Sequence, residues 1–354
     1  MRGEGLNSSL RTLPGRAWRW ALLEEGSTRP TALMRIGLGL MLWLRLADRF
    51  LIHADSSPRD VLLAVIFHLA TLGTVLGAFT RLSTALVALL SFGGFAWMGP
   101  VWGAPGWGSH NIHLLVCSTM LLALCPAGRS LSLDRWWALK RAERGGPPPP
   151  SERAPLWSVR LLGVLVCTVY LSTALDKTGE VWLSGHRLQA VIAEHYTGSA
   201  LLDDPLYEGL IMVAAIGVWL LELVLVGGLL FRRTRLPLAM AGVLLHGGFS
   251  ILFRVFTFSA NMILLYLPLF PPAQVDAALT RLCPPGLPAE SAVGPASVAT
   301  RAGRGLLVLG TLVALLVAGP RLLQGIEATV LRPAKADRDD RARIEREELQ
   351  KWPR

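Results

Sequence analysis

Charge is what this sequence has least of for its length: Asp, Glu, Lys and Arg make up 17% of 354 residues, against 52% hydrophobic residues and a mean hydropathy of +0.45. That scarcity excludes an ordinary globular domain, in which about a quarter of residues are charged. Cysteine is scarce as well. Cys117, Cys125, Cys167 and Cys283 have no CxxC spacing and three fall in apolar runs, which excludes a disulfide framework and leaves them as small buried residues. There is no P-loop, no GxGxxG opening a helix after a strand, no GxSxG and no HExxH. The seven histidines form no Glu-x-x-His or Cys/His cluster, so no metal is expected. The first 30 residues lack the apolar core of a cleavable signal, and Arg11, Arg16, Trp18, Arg19 and Trp20 suit a segment lying on the membrane surface.

What the chain has instead is a series of apolar runs of about 17 to 25 residues, the length a helix needs to cross the hydrocarbon core. The fold class is therefore all-α, a polytopic integral membrane helix bundle with about eight or nine transmembrane helices. The runs lie at residues 31–52, 61–79, 82–98, 110–126, 156–175 and 206–231. The stretch 236–270 is too long for one untilted span and reads as two, breaking near Arg254; a last run covers 305–323. This divides the chain into an interfacial or cytoplasmic segment at 1–30, a membrane domain at 31–323 and a charged tail at 324–354. Within the membrane domain, 128–156 is a basic loop stiffened by Pro147 to Pro150, and 176–206 is a polar outer loop.

The net charge of +10 is carried by arginines in short loops, the pattern of cytoplasmic loops and of attraction to anionic lipid rather than a nucleic-acid stripe. Membrane lipid is the expected partner and nucleic acid is not. The rule places the amino terminus, Arg81, the Arg129 to Arg160 loop and Arg232 to Arg235 on the cytoplasmic side, and the loops around Trp102 and Lys177 outside. The carboxyl end is inside for eight spans and outside for nine.

Polar residues at the ends or inside of spans are costly and mark candidate sites. Lys177 follows the run LWSVRLLGVLVCTVYLSTALD. Shelter from water disfavours an ammonium, and a neutral amine is a base; the bland alternative is a lysine that snorkels to the interface or pairs with Asp176 or Glu180. His110 and His113 share a helix face on the same side of the membrane as Lys177. Glu222 and His246 lie deeper, either paired to lock two helices or lining a polar cavity. Arg35 suits snorkelling to the inner surface, Arg45 needs the outer interface or a polar partner, and Gly73 with Gly77 gives a GxxxG spacing for close helix approach.

Three blocks in this order resemble the transmembrane domain shared by vitamin K-dependent gamma-carboxylases and their bacterial relatives, the HTTM family. SHNIHLLVCSTMLLALCPAGRSLSLDRWW has an Asn/His pair opening a span that closes on a Gly-Arg-x-x-Ser-x-Asp loop, with His110, Asn111, Arg129, Ser132 and Asp134 in matching positions. YLSTALDKTGEVWLSGHRL places Lys177, Trp182 and Gly185. LELVLVGGLLFRRTRLPLAMAGVLLHGGFSILFRVFTFSANMILLYLPLF supplies Glu222, the Arg-Thr-Arg loop, His246 and the Phe258-Ser259 pair. The resemblance covers roughly residues 30 to 270 and implies roles. In the carboxylases the matching lysine is regarded as the base that deprotonates reduced vitamin K for reaction with oxygen, after which a glutamate γ-proton is removed and carbon dioxide adds. Carried over, Lys177 is the base and His110 supports the oxygen chemistry. Trp182, Asp176, His113, Glu222, His246 and Arg254 line the cavity or hold it together. The implied cofactor is a vitamin K-type hydroquinone such as menaquinol, with oxygen and carbon dioxide as co-substrates. The implied partner is a secreted peptide and the activity that of a lyase-like carboxylase and quinol epoxidase. The rival reading is a non-catalytic membrane factor that binds or chaperones an exported peptide or partner protein. A transporter would call for related halves with broken helices, of which only the break near Arg254 is seen.

Overall fold

The computed structural model describes residues 24–53, 56–98, 109–197, 204–231, 233–270, 274–275 and 277–278. The segment at 1–23, the Trp102 turn, Cys283, the run at 305–323 and the tail lie outside the described residues. Apart from one pair of three-residue strands, β1 (Glu25–Ser27) and β2 (Arg153–Pro155), the elements among the described residues are helical. The long apolar helices are α1 (Arg29–Leu46), α2 (Pro58–Leu76), α6 (Trp157–Asp176), α9 (Pro205–Gly228) and α10 (Arg235–Leu252); each is able by length and composition to cross a membrane. Shorter apolar helices are α3 (Thr80–Ala96), α4 (His110–Ala123) and α11 (Phe256–Tyr266). Three further helices, α5 (Leu133–Glu143), α7 (Glu180–Leu183) and α8 (His186–Ile192), are amphipathic or short. The chain is thus an all-α membrane protein.

Local chemistry sets the boundaries. Ser57 caps α2, accepting from the Asp60 N–H at 3.2 Å, with Pro58 in the first turn. Asp204 does the same for α9, accepting from Leu206 N–H at 2.9 Å ahead of Pro205. The expected break is present: α10 stops at Leu252 and α11 begins at Phe256, with Arg254 between them in the left-handed region at φ 54°.

Met34, Leu38, Leu42 and Leu46 form a fully buried stripe on α1, one residue per turn, packed with Phe67, Leu115, Leu162, Val166, Met262 and Leu265 from the surrounding helices. Leu69 and Leu76 on α2, Leu82 and Leu89 on α3, Leu206 and Leu210 on α9 and Leu244 on α10 are exposed. With large apolar side chains covering the outside as well as filling the core, and polar ones such as Arg35, Glu222 and His246 buried, the bundle has the surface of helices in lipid.

The basic loop is a latch. Glu152 is buried and binds three elements: Arg29 Nε donates to it at 2.8 Å, Ser130 Oγ at 3.3 Å, and Arg135 Nε lies 3.6 Å away. Thr28 Oγ1 donates to the Glu152 carbonyl at 2.8 Å, and β1 pairs antiparallel with β2 beside it. The Gly-Arg-x-x-Ser-x-Asp motif belongs to the same latch. Ser132 Oγ donates to the Gly128 carbonyl at 2.6 Å and accepts from Arg135 N–H at 3.0 Å, and Arg129 donates to the Arg153 carbonyl at 2.8 Å. Asp134 accepts from Phe79 N–H and Thr80 N–H at 2.8 Å each, supplying the free donors of α3 from another helix. Arg35 corrects an expectation. It does not snorkel: it is fully buried and donates to the carbonyls of Thr74 (2.5 Å), Val75 (3.0 Å) and Leu131 (2.6 Å), satisfying acceptors at the end of α2. Gly77 ends α2 in the left-handed conformation at φ 68°, and both glycines of the GxxxG pair allow close approach: a Cβ at Gly73 would meet Ser83 of α3, and one at Gly77 would meet Arg35 of α1 and Ser132.

Candidate functional site

Tyr170, Thr173, Ala174 and Lys177 follow one another at helical spacing along α6, so one face of this helix carries a tyrosine and, two turns on, the lysine that caps its end. Lys177 Nζ donates to both carboxylate oxygens of Glu222 on α9, at 2.9 and 3.1 Å, and to the Thr173 carbonyl at 3.4 Å. The Thr173 hydroxyl donates to the Tyr170 carbonyl at 3.2 Å. The side chains are 14% and 2% exposed, so this is a buried ion pair, in which both desolvated charges depend on each other. The neighbouring surface is aromatic. Lys177 Nζ lies 5.0 Å from the Trp182 ring and 5.9 Å from Phe249. Trp182 is fixed by donating Nε1–H to the Ala215 carbonyl at 3.0 Å and by stacking on Phe253.

On the same face of α6, Tyr170 Oη is 2.8 Å from His246 Nε2 on α10 and hydrogen-bonds Tyr266 Oη on α11. His246 also meets Phe249 edge to face, with ring centroids 6.0 Å apart, and is close enough to Lys177 to interact electrostatically. Its Nδ1 is buried and has no hydrogen-bond partner among the described residues. Four helices therefore bring an ammonium, a carboxylate, an imidazole and two phenols together in an apolar interior.

The depth of this cluster differs from a site at a helix mouth. Glu222 lies about 25 Å along α9 from Pro205 and only about 9 Å from Gly228, at 1.5 Å per residue. Lys177 ends α6 level with it. The remaining length of α9 is flanked by the segment expected as an outer loop: Trp182 reaches Ala215, and Gly185 packs on Ile211 and Met212. Gly185 has φ 85°, and a Cβ there would lie 2.9 Å from the Met212 backbone nitrogen, so both conformation and contact require glycine.

The structure brings together Lys177, Glu222, His246 and Trp182. It replaces two expected pairings: Lys177 bonds Glu222, not Asp176 or Glu180, and His246 bonds Tyr170, not Glu222. Asp176 and Arg254 are exposed; Asp176 is near enough to Glu222 to act on it electrostatically but makes no bond within the cluster. His113 stacks on Phe95 of α3, ring centroids 5.2 Å apart. His110 opens α4, where Ser109 caps the helix, and its side chain lies outside what is described. Sequence reasoning missed Tyr170 and Tyr266. The available signal was scarcity: four tyrosines in the chain, three of them in apolar runs where a buried hydroxyl needs a partner. Among the described residues no group of three or more His, Cys, Asp or Glu suits a metal.

A family model described as HTTM domain matches residues 50–274, a range that includes every residue of this cluster. No curated protein and no solved structure matches the chain.

Proposed function

Because this chain belongs to the HTTM domain family, a vitamin K-dependent carboxylase-like family of membrane proteins, we propose that it is a membrane enzyme in which Lys177, acting with Glu222, takes a proton from a quinol or other apolar hydroxyl-bearing substrate, in the service of modifying a secreted peptide. The observation that carries this reading is the Lys177–Glu222 pair, 2.9 Å apart, buried and walled by Trp182 and Phe249. Such a pair has two proton placements. Passing the ammonium proton to the Glu222 carboxylate leaves a neutral amine at Lys177 Nζ, and that amine accepts a substrate hydroxyl proton. Flat aromatic walls suit a ring-shaped substrate and exclude water, and His246 Nδ1 is a buried polar atom that a bound hydroxyl would satisfy. A menaquinol-type hydroquinone fits these residues. When bound it supplies reducing equivalents for chemistry with oxygen, with carbon dioxide as the second co-substrate. By the family resemblance, His110 assists on the oxygen side. We read the five long and three shorter apolar helices of the described residues as eight spans, apart from the run at 305–323, with the amino terminus cytoplasmic.

A second reading, the non-catalytic membrane factor for an exported peptide, draws on the closure of the same bonds: Lys177 has its carboxylate and Tyr170 has His246 and Tyr266, as in a cluster that only holds helices in register. The deciding experiment replaces Lys177 by Ala and by Arg and measures quinol oxidation and peptide carboxylation in membranes. The enzyme reading expects a loss of about a hundredfold or more. Equal activity in both variants, or none in the parent, removes that reading and leaves the factor.

A further inference from the structure

At the end of the bundle where α2 turns into α3, far along the chain from Lys177, α5 presents a surface of a different kind. Trp136 and Trp137 are 52% and 39% exposed, and the Phe79 ring, 69% exposed, lies 5.6 Å from that of Trp137. Asp134 fixes this geometry, because its carboxylate and N–H bind the α2–α3 turn at Thr80 and Gly77. Phe79 stands at the turn between Leu76 of α2 and Leu82 of α3, both exposed, and so joins their apolar side chains to the Trp137 ring. Beyond the rings, Lys140, Arg141 and Arg144 are exposed along α5, and Arg81 is exposed beside Phe79. Burial, and after it the nearby Arg81, push the Arg129 guanidinium below its usual range, with Glu25 opposing. Cations are thus crowded at this corner.

We infer that α5 and the α2–α3 turn form a docking surface for an anionic phospholipid headgroup layer. Phe79, Trp136 and Trp137 sit at headgroup depth, and Arg81, Arg141 and Arg144 hold lipid phosphates. Aromatic rings with a polar edge are favoured where hydrocarbon meets water, and guanidinium groups bind phosphate through paired N–H donors. Two features select lipid as the occupant over a second protein: Phe79, in contact with Trp137, stands at the turn between the exposed Leu76 of α2 and Leu82 of α3, and the exposed charge beside the rings is mainly basic, with Asp134 turned onto the Phe79 and Thr80 N–H groups and Glu143 paired with Lys140. This inference is independent of the chemistry at Lys177.

The test is hydrogen exchange of residues 133–143 in the full chain, placed in nanodiscs of phosphatidylcholine alone or mixed with phosphatidylglycerol. Each basic residue near an anionic surface contributes about fivefold, so phosphatidylglycerol is expected to slow exchange by about tenfold or more, and the doubly substituted Arg141→Glu/Arg144→Glu chain to lose most of that slowing. The milder Arg141→Gln/Arg144→Gln chain, which keeps the helix amphipathic, is expected to lose about as much. Equal exchange in the two lipid mixtures overturns the inference. So does slowing that survives both double substitutions, or slowing seen only in discs that hold two copies of the protein.

Discussion

Asp134 caps a helix to which it does not belong. Its carboxylate receives the Phe79 and Thr80 N–H groups at 2.8 Å each, so the start of α3 is defined by a residue more than fifty positions later. Asp134→Ala is expected to lower stability by about 2 kcal/mol, the upper range for a lost cap, because two donors are orphaned. Asp134→Asn, which keeps one acceptor oxygen, should cost about half as much. Thermal denaturation in detergent measures both, and indistinguishable midpoints for parent and alanine variant would show that the cap is dispensable.

The buried pair at the centre of the bundle should reveal itself through coupling. Lys177→Met or Glu222→Gln alone leaves an uncompensated buried group and is expected to cost about 3–5 kcal/mol. The double variant should cost clearly less than the sum. A double-mutant cycle in denaturant reads this directly; strictly additive losses mean that the two side chains do not depend on each other.

Among the phenols, position in the chain of hydrogen bonds sets the order of importance. Tyr170 bonds both His246 and Tyr266, whereas Tyr266 bonds Tyr170. Tyr170→Phe should therefore destabilise by about 1–3 kcal/mol and by more than Tyr266→Phe. The reverse ranking in melting midpoints contradicts the network described above.

At the α10–α11 break, Arg254 holds φ 54°, a conformation that costs an L-residue about 1–2 kcal/mol. Since the side chain is exposed, Arg254→Gly should relieve the strain and raise the melting midpoint, while Arg254→Val should lower it. A glycine variant less stable than the parent would assign the side chain a holding role that its exposure does not suggest.

The long helices were legible because hydrocarbon thickness imposes a length, and that length can be counted. The interruption near Arg254 was legible for the same reason: residues 236–270 overrun it. Partner choice was not. Whether Glu222 meets Lys177 or His246 depends on how far α9 is rotated and slid against α6, and neither is written in a single span. The latch escaped notice on other grounds. Its strands are three residues long, too short to show alternation, and Glu152 comes two residues after a run of four prolines that reads as a spacer. The Gly-Arg-x-x-Ser-x-Asp block was recognised as a resemblance, yet its work became clear only once Ser132 and Asp134 were seen binding backbone groups.

The latch also dictates an order of events during biosynthesis. Arg29 and Thr28 stand at the foot of the first long helix, but Glu152, whose carboxylate anchors Arg29 and whose backbone carbonyl anchors Thr28, is encoded more than a hundred residues downstream. At 5–20 residues per second the ribosome needs about 6 to 25 s to bridge that gap. The first helix must wait in the translocation machinery or the bilayer with its arginine unanchored, and the amino-terminal half becomes fixed only when the loop ahead of α6 has emerged.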